Sequence, residues 1–199
     1  MKGVDLSAYQ GVLPWQKLND IQFGIIKVTE GEGYINPYWY ENTVEMRKHG
    51  KLCGFYMFTT PGLGKNTPEG DARYFWTRVG RTVQKGDLIA VDLETTLLNP
   101  QQTSQWAFKV LSTLESLARW KPLIYSYPDF IRNNLTDKRL AAYPLWLAWY
   151  DDNLPRSFEQ WPVIALWQRG PGTVQGETED IDIDIFFLKA DRLRAYGKP

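Results

Sequence analysis

The chain has 199 residues, 43% of them hydrophobic and 23% charged, which is enough to bury a sizeable core as one domain without metals or disulfides. Lys plus Arg and Asp plus Glu balance at 23 each, so no basic field exists to gather nucleic-acid phosphates or an anionic membrane. One cysteine, Cys53, excludes an internal disulfide, and one histidine, His49, excludes both a Ser-His-Asp triad and a histidine-rich metal site.

Met1 to Ser7 lacks the apolar run of a secretory signal, and no later stretch reaches 18 uncharged apolar residues, so synthesis in a cytoplasm without stable membrane insertion is expected. Short β-type runs then alternate with helical patterns. Strands are predicted at 2–6, 23–29, 52–58, 88–93 and 122–126. Helical spacing marks 38–49, 68–81 and 105–120, with weaker pieces at 15–20 and 128–134. Thr67 and Pro68 open the second helix and place Ala72, Phe75, Trp76 and Val79 on one face. Ser104 is the expected cap of the third, whose periodic residues are Trp106, Val110, Leu114 and Leu117. Cys53, inside the apolar run Leu52 to Phe58, reads as a buried and inert thiol, and His49 as a solvated residue where a helix stops at Gly50.

After residue 140 the rhythm changes. Strands at 145–149, 163–168 and 181–187 are separated by segments rich in Asp, Pro and Gly, with no convincing helix between them. Eight strands and five helices are enough to close an α/β, single-domain, irregular TIM-like barrel built of parallel strands with helical crossovers. No linker, low-complexity tract or repeat of 20 to 50 residues is visible, so one domain spanning 1–199 with no separate binding module is expected.

Acidic residues stand where apolar strands run out. In Leu88-Ile89-Ala90-Val91-Asp92-Leu93-Glu94 the two acids point the same way, about 7 Å apart, because successive strand side chains alternate faces. At roughly 6.5 Å and an effective dielectric near 20, their repulsion is about 2.5 kcal/mol, nearly two pKa units on one of them. One carboxyl can then keep a proton near neutral pH while the other is ionised, the pairing needed for acid-assisted cleavage of a glycosidic bond. In a parallel barrel the reactive face lies at the carboxyl ends of the strands. Asp5 ends the first strand and Asp182 sits in the last, so these two are expected to meet across the barrel closure. Nine Trp, eleven Tyr and nine Phe make 15% of the chain, and flat rings suit sugar faces.

The same residues resemble a known family. Gly3-Val4-Asp5-Leu6-Ser7 with Tyr9-Gln10-Gly11 is similar to the opening of glycoside hydrolase family 25, the Chalaropsis-type lysozymes. Further blocks follow in that family's order: Ile25 to Gly31 with Tyr34, Gly54-Phe55-Tyr56-Met57-Phe58, Asp92-Leu93-Glu94, Ile124-Tyr125-Ser126, Leu145-Trp146 with Ala148 and Tyr150, Leu166-Trp167-Gln168, and Ile181-Asp182-Ile183-Asp184. The resemblance implies a (β/α)5β3 barrel and hydrolysis of the β-1,4 bond between N-acetylmuramic acid and N-acetylglucosamine in peptidoglycan. It implies Glu94 as general acid and Asp92 as its ionised partner, which orients the substrate's own acetamido group, with Asp5 and Asp182 tuning charge and geometry. Tyr56, Tyr125, Trp146, Glu30 and Tyr34 are the expected substrate-binding residues. No cofactor or metal is implied, the partner is the peptidoglycan glycan strand, and a monomer is expected. The setting it suggests is a phage or prophage endolysin that reaches the cell wall after release.

Two departures stand out. Met57 occupies a place where the family usually has His, which suggests a lost polar contact, and Asp184 stands where relatives often have Asn, which adds a charge if it points inward with Asp182. Two other readings of the acids are a metal-dependent nuclease or phosphoesterase, marked by loss of activity in a chelator, and a carbohydrate-binding barrel with inert acids.

Overall fold

The computed structural model describes residues 1–174, 181–187 and 195–199. Eight strands close into a barrel in the order β1 (Lys2–Leu6), β2 (Phe23–Glu30), β4 (Leu52–Phe58), β5 (Leu88–Asp92), β6 (Leu123–Ser126), β7 (Leu145–Ala148), β8 (Ile164–Gly172) and β9 (Ile181–Ile185), with β9 returning to β1. The intervening β3 (Tyr34–Ile35) is a two-residue strand folded back on β2. Helices α1 (Trp39–Lys48), α2 (Pro68–Val79), α3 (Pro100–Ala118) and α4 (Pro128–Asn134) cross between parallel strands, and a 3-10 turn covers Lys138–Ala142. No helix among the described residues is long and apolar enough to cross a membrane.

Alternation along each strand divides the apolar residues into two layers. Val4, Leu6, Ile26, Val28, Phe55, Ile89, Val91 and Leu147 face outward and pack with Phe75, Val110 and Leu114 of the helices. Phe23, Ile25, Leu88, Ala90, Leu123, Leu166 and Phe186 fill the barrel interior. Gly3 belongs to that interior, where a Cβ would lie 2.3 Å from the Phe23 ring, so only glycine lets the ring close the floor of the barrel. Cys53 is buried and unpaired, and burial pushes its thiol up to about 12.

Parallel pairing ends at β8. The last strand runs antiparallel to both neighbours, with Gly3 opposite Asp184 and Asp5 opposite Asp182. That reversal brings the amino end of β9 to the end of the barrel where β1 and β5 finish, which is how a residue near the start of one strand joins acids at the ends of others.

Two expected elements differ. Residues 15–20 form consecutive turns, not a helix, because both Trp15 and Leu18 are drawn into the core and the Trp15 indole donates to Asn42 Oδ1 at 2.8 Å. Helix α3 starts five residues early. Asn99 accepts from the Gln102 amide at 2.9 Å and Pro100 occupies the first turn, a stronger start than Ser104 offers. Ser104 is instead buried inside the helix, and its hydroxyl accepts from the Asp137 amide at 2.7 Å. Asn99→Ala is therefore expected to destabilise the fold by about 1 kcal/mol in denaturant melts, and Ser104→Ala to leave the helix start in place.

Candidate active site

Asp92 is the last residue of β5 and faces the interior in line with Leu88 and Ala90. The strand geometry persists past its formal end, since the Leu93 amide donates to the Tyr125 carbonyl at 3.1 Å and the Leu93 carbonyl accepts from Ser126 Oγ at 2.5 Å. Leu93 is thereby pinned to β6 and wholly buried on the outer layer, which turns Glu94 back to the side of Asp92. The Glu94 carbonyl accepts from the Tyr127 hydroxyl at 3.3 Å. The Glu94 carboxyl is half-buried and opens into a cleft of about 510 Å³, walled by Tyr125, Tyr127, Pro128, Trp149 and Tyr150.

The Asp92 and Glu94 carboxyls stand close enough that each bears on the other's titration. Two buried carboxylates so placed repel, which favours one proton on the pair. Burial raises both carboxyls above the ordinary range, and the Glu94 charge adds to the rise at Asp92. At Glu94 the neighbouring Asp92 and the Lys27 ammonium pull the other way, while Asp182 adds to the rise. Asp92 is only 5% exposed whereas Glu94 meets water in the cleft, so burial acts on both acids and most directly on Asp92.

Asp5 and Asp182 do meet across the barrel closure as register partners. Burial and the Asp182 charge raise Asp5 to about 7, and Gln168 opposes this by donating from Nε2 to Asp5 Oδ2 at 2.8 Å. Gln168 in turn accepts on Oε1 from the Tyr125 hydroxyl at 2.9 Å and the Tyr150 hydroxyl at 3.1 Å. One amide thus ties two cleft tyrosines to a buried acid. Asp182 is half-buried and raised by burial.

The expected aromatics divide. Tyr125 lines the cleft. Trp146, at 1% exposure, lies beneath the site and cannot line a sugar groove; its ring packs 4.6 Å from Tyr125 and its indole donates to Asp184 Oδ1 at 2.8 Å. Tyr56 is buried edge-on to Trp146, 6.1 Å away, close enough to Asp5, Asp92 and Glu94 that burial and their charges push its hydroxyl up. Glu30 and Tyr34 line a second cleft of about 330 Å³ with Ser7, Ala8, Tyr9 and Lys27. Lys27 bonds Glu30 at 2.7 Å and lies 4.5 Å from the centre of the Phe58 ring.

Met57 is not in the site. It faces outward, wholly buried among helix-facing residues opposite Val91, so its identity removes no polar contact from the acids. Asp184 does point inward with Asp182, and it is fully buried. Gln168, Lys27, Tyr127, Trp149 and Tyr150 were not singled out from the sequence as site residues. For Gln168 the signal was available, since Leu166 and Gln168 share one face of a strand whose Leu166 fills the interior. Among the described residues no group of three or more His, Cys, Asp and Glu side chains is arranged to hold a metal ion.

Comparison with known proteins places the chain in a family. The family model for glycosyl hydrolases family 25 matches residues 4–173. The protein YegX of Escherichia coli K12 is 30% identical over 204 residues, covering 98% of this chain and 72% of YegX. A lysozyme of Streptococcus phage Cp-1 is 28% identical over 151 residues, covering 72% of this chain and 42% of that protein. A muramidase from Acremonium alcalophilum superposes with a TM-score of 0.87 at 25% identity, covering 98% of each chain. With the model match spanning most of its length, the chain belongs to glycosyl hydrolases family 25.

Proposed function

We propose that the protein is an N-acetylmuramidase, which hydrolyses the β-1,4 bond between N-acetylmuramic acid and N-acetylglucosamine in bacterial peptidoglycan. The observation that carries this reading is the division of the acid pair: Glu94 opens into an aromatic-walled cleft while its neighbour Asp92 stays buried behind it. Glu94 delivers the single proton of the pair to the glycosidic oxygen, so Asp92 is a carboxylate as the bond breaks. That carboxylate accepts from the acetamido N–H of the substrate and orients the acetamido oxygen toward the anomeric carbon. Water then opens the resulting ring and returns a proton to the pair.

Asp5 and Asp182 supply negative potential beside the developing positive charge of the sugar ring. The Glu30 and Tyr34 cleft takes a further part of the glycan strand, and Tyr125, Tyr127, Trp149 and Tyr150 hold sugars against Glu94. Similarity to a phage lysozyme supports release from an infected bacterium as the setting, with the protein acting as a monomer on the wall after synthesis in the host. Mass spectrometry of muropeptides released from purified wall tests the activity. Reducing ends on N-acetylmuramic acid are expected; reducing N-acetylglucosamine would instead make the protein a glucosaminidase.

A further inference from the structure

Asp184 has no role in the mechanism above, yet it is fully buried inside the barrel mouth on β9. Its Oδ1 accepts from the Trp146 indole at 2.8 Å. Its Oδ2 is shielded from solvent and, among the described residues, finds neither an N–H donor nor a hydroxyl. The register sets Gln168 of β8 directly opposite Asp184 on β9, and Gln168 Nε2 reaches past it to Asp5 Oδ2 on β1 at 2.8 Å, which brings the Asp5 and Asp184 carboxyls side by side. Two buried carboxyls so placed cannot both ionise at modest cost, so one of them keeps its hydrogen.

We propose that Asp184 is a positioning residue, a neutral carboxylic acid whose Oδ2–H donates to the Asp5 carboxylate and fixes it between Gln168 and Asp182. Trp146 seats Asp184 and leaves Oδ2 as the donating atom, and the β1 to β9 register brings the acid to Asp5. Among the described residues the groups facing the pair are acids or neutral donors: Asp182 on β9, Glu94 beyond β5, Trp146 on β7, Gln168 on β8, and the Tyr150 hydroxyl behind Gln168. No cation among these residues shares the contact to offset a second negative charge on Asp184. Burial and the Asp5 charge accordingly push Asp184 well above the ordinary carboxylate range. The arrangement also accounts for an aspartate where the sequence resemblance leads one to expect asparagine, since a protonated carboxyl and an amide each present one donor and one acceptor.

For its effect on turnover the inference rests on the muramidase reading; for the proton it does not. The test pairs carboxyl 13C NMR of the native protein with three variants. The resonance that disappears in Asp184→Asn is expected at the position of a neutral acid at pH 6 and unmoved through pH 8, while that of Asp5 moves near pH 7. Asp184→Ala is expected to lower kcat by about 10- to 100-fold with little change in KM, the loss that follows when a group at the reacting centre is misplaced. Asp184→Asn, which keeps a donor, is expected to restore most of that kcat, and Asp184→Leu is not. An ionised Asp184 resonance at pH 6 overturns the proposal, as does an Asn variant as slow as the Ala variant. Should wild-type protein fail to cut glycan, the muramidase reading falls and the NMR spectrum still decides where the proton lies.

Discussion

Glu94→Gln is expected to lower turnover of purified wall by about 10²- to 10⁴-fold, the contribution of a positioned general acid, with circular dichroism unchanged and melting not lowered. Gln keeps the size of the side chain and can still accept a hydrogen bond from Asp92, so the site should close around it without a cavity. What it cannot do is deliver a proton to the leaving oxygen. The deficit should therefore depend on the leaving group. On an aryl glycoside whose phenolate departs without protonation the variant should recover most of the wild-type rate of bond cleavage, whereas on wall polymer it should not. A variant equally slow on both substrates would move Glu94 from acid to some other role. A variant active on wall would remove it from the chemistry altogether.

Asp92→Asn is expected to be nearly as damaging to activity and, at alkaline pH, stabilising. Asn can orient a neighbouring group, but it cannot share a proton with Glu94, nor act as the carboxylate that holds the acetamido group. Its effect on stability follows from linkage. Burial raises Asp92 in the folded protein well above its unfolded value, so the native state binds the proton more tightly. For such an acid the stability is greatest below the unfolded pKa, falls as pH rises from about 4, and stops falling only above the folded pKa. Asp5, raised to about 7, and Asp71, buried on α2 and raised to about 6, slope the same way. The wild type should melt higher at pH 5 than at pH 8, and Asp92→Asn should raise the melting temperature at pH 8 but not at pH 4. Each kcal/mol relieved corresponds to roughly 2–4 °C in a chain of this size. Differential scanning calorimetry at the two pH values decides this, and a variant less stable than wild type at pH 8 would contradict a protonated, buried Asp92.

How much could be read in advance depended on the range over which each feature is determined. The pairing of Asp92 with Glu94 was legible because strand alternation is a property of two adjacent peptide units and survives into the turn after β5. Asp5 opposite Asp182 was legible once the barrel was taken as closed, although the antiparallel direction of β9 was not visible in Ile181-Asp182-Ile183-Asp184-Ile185. The start of α3 was misplaced although Asn99 and Pro100 spell a good cap, because an Asn-Pro pair also spells a turn. Trp15 to Asp20 had helical spacing, but the bond from Trp15 to Asn42 reaches 27 residues away and outweighs local preference.

Trp146 and Met57 mark where such reading stops. Both stand in strands beside residues of the site, and only register and the closure of the barrel show that one lies under the acids and the other faces the helices. The sequence by itself determined the barrel class, the cluster of acids at its mouth and the family, since composition, alternation and ordered motifs are carried by the chain locally. The tertiary structure alone decided how deeply each acid is buried and which groups it meets, because both follow from neighbours brought together by strands far apart in the chain, and neither exists before the barrel closes.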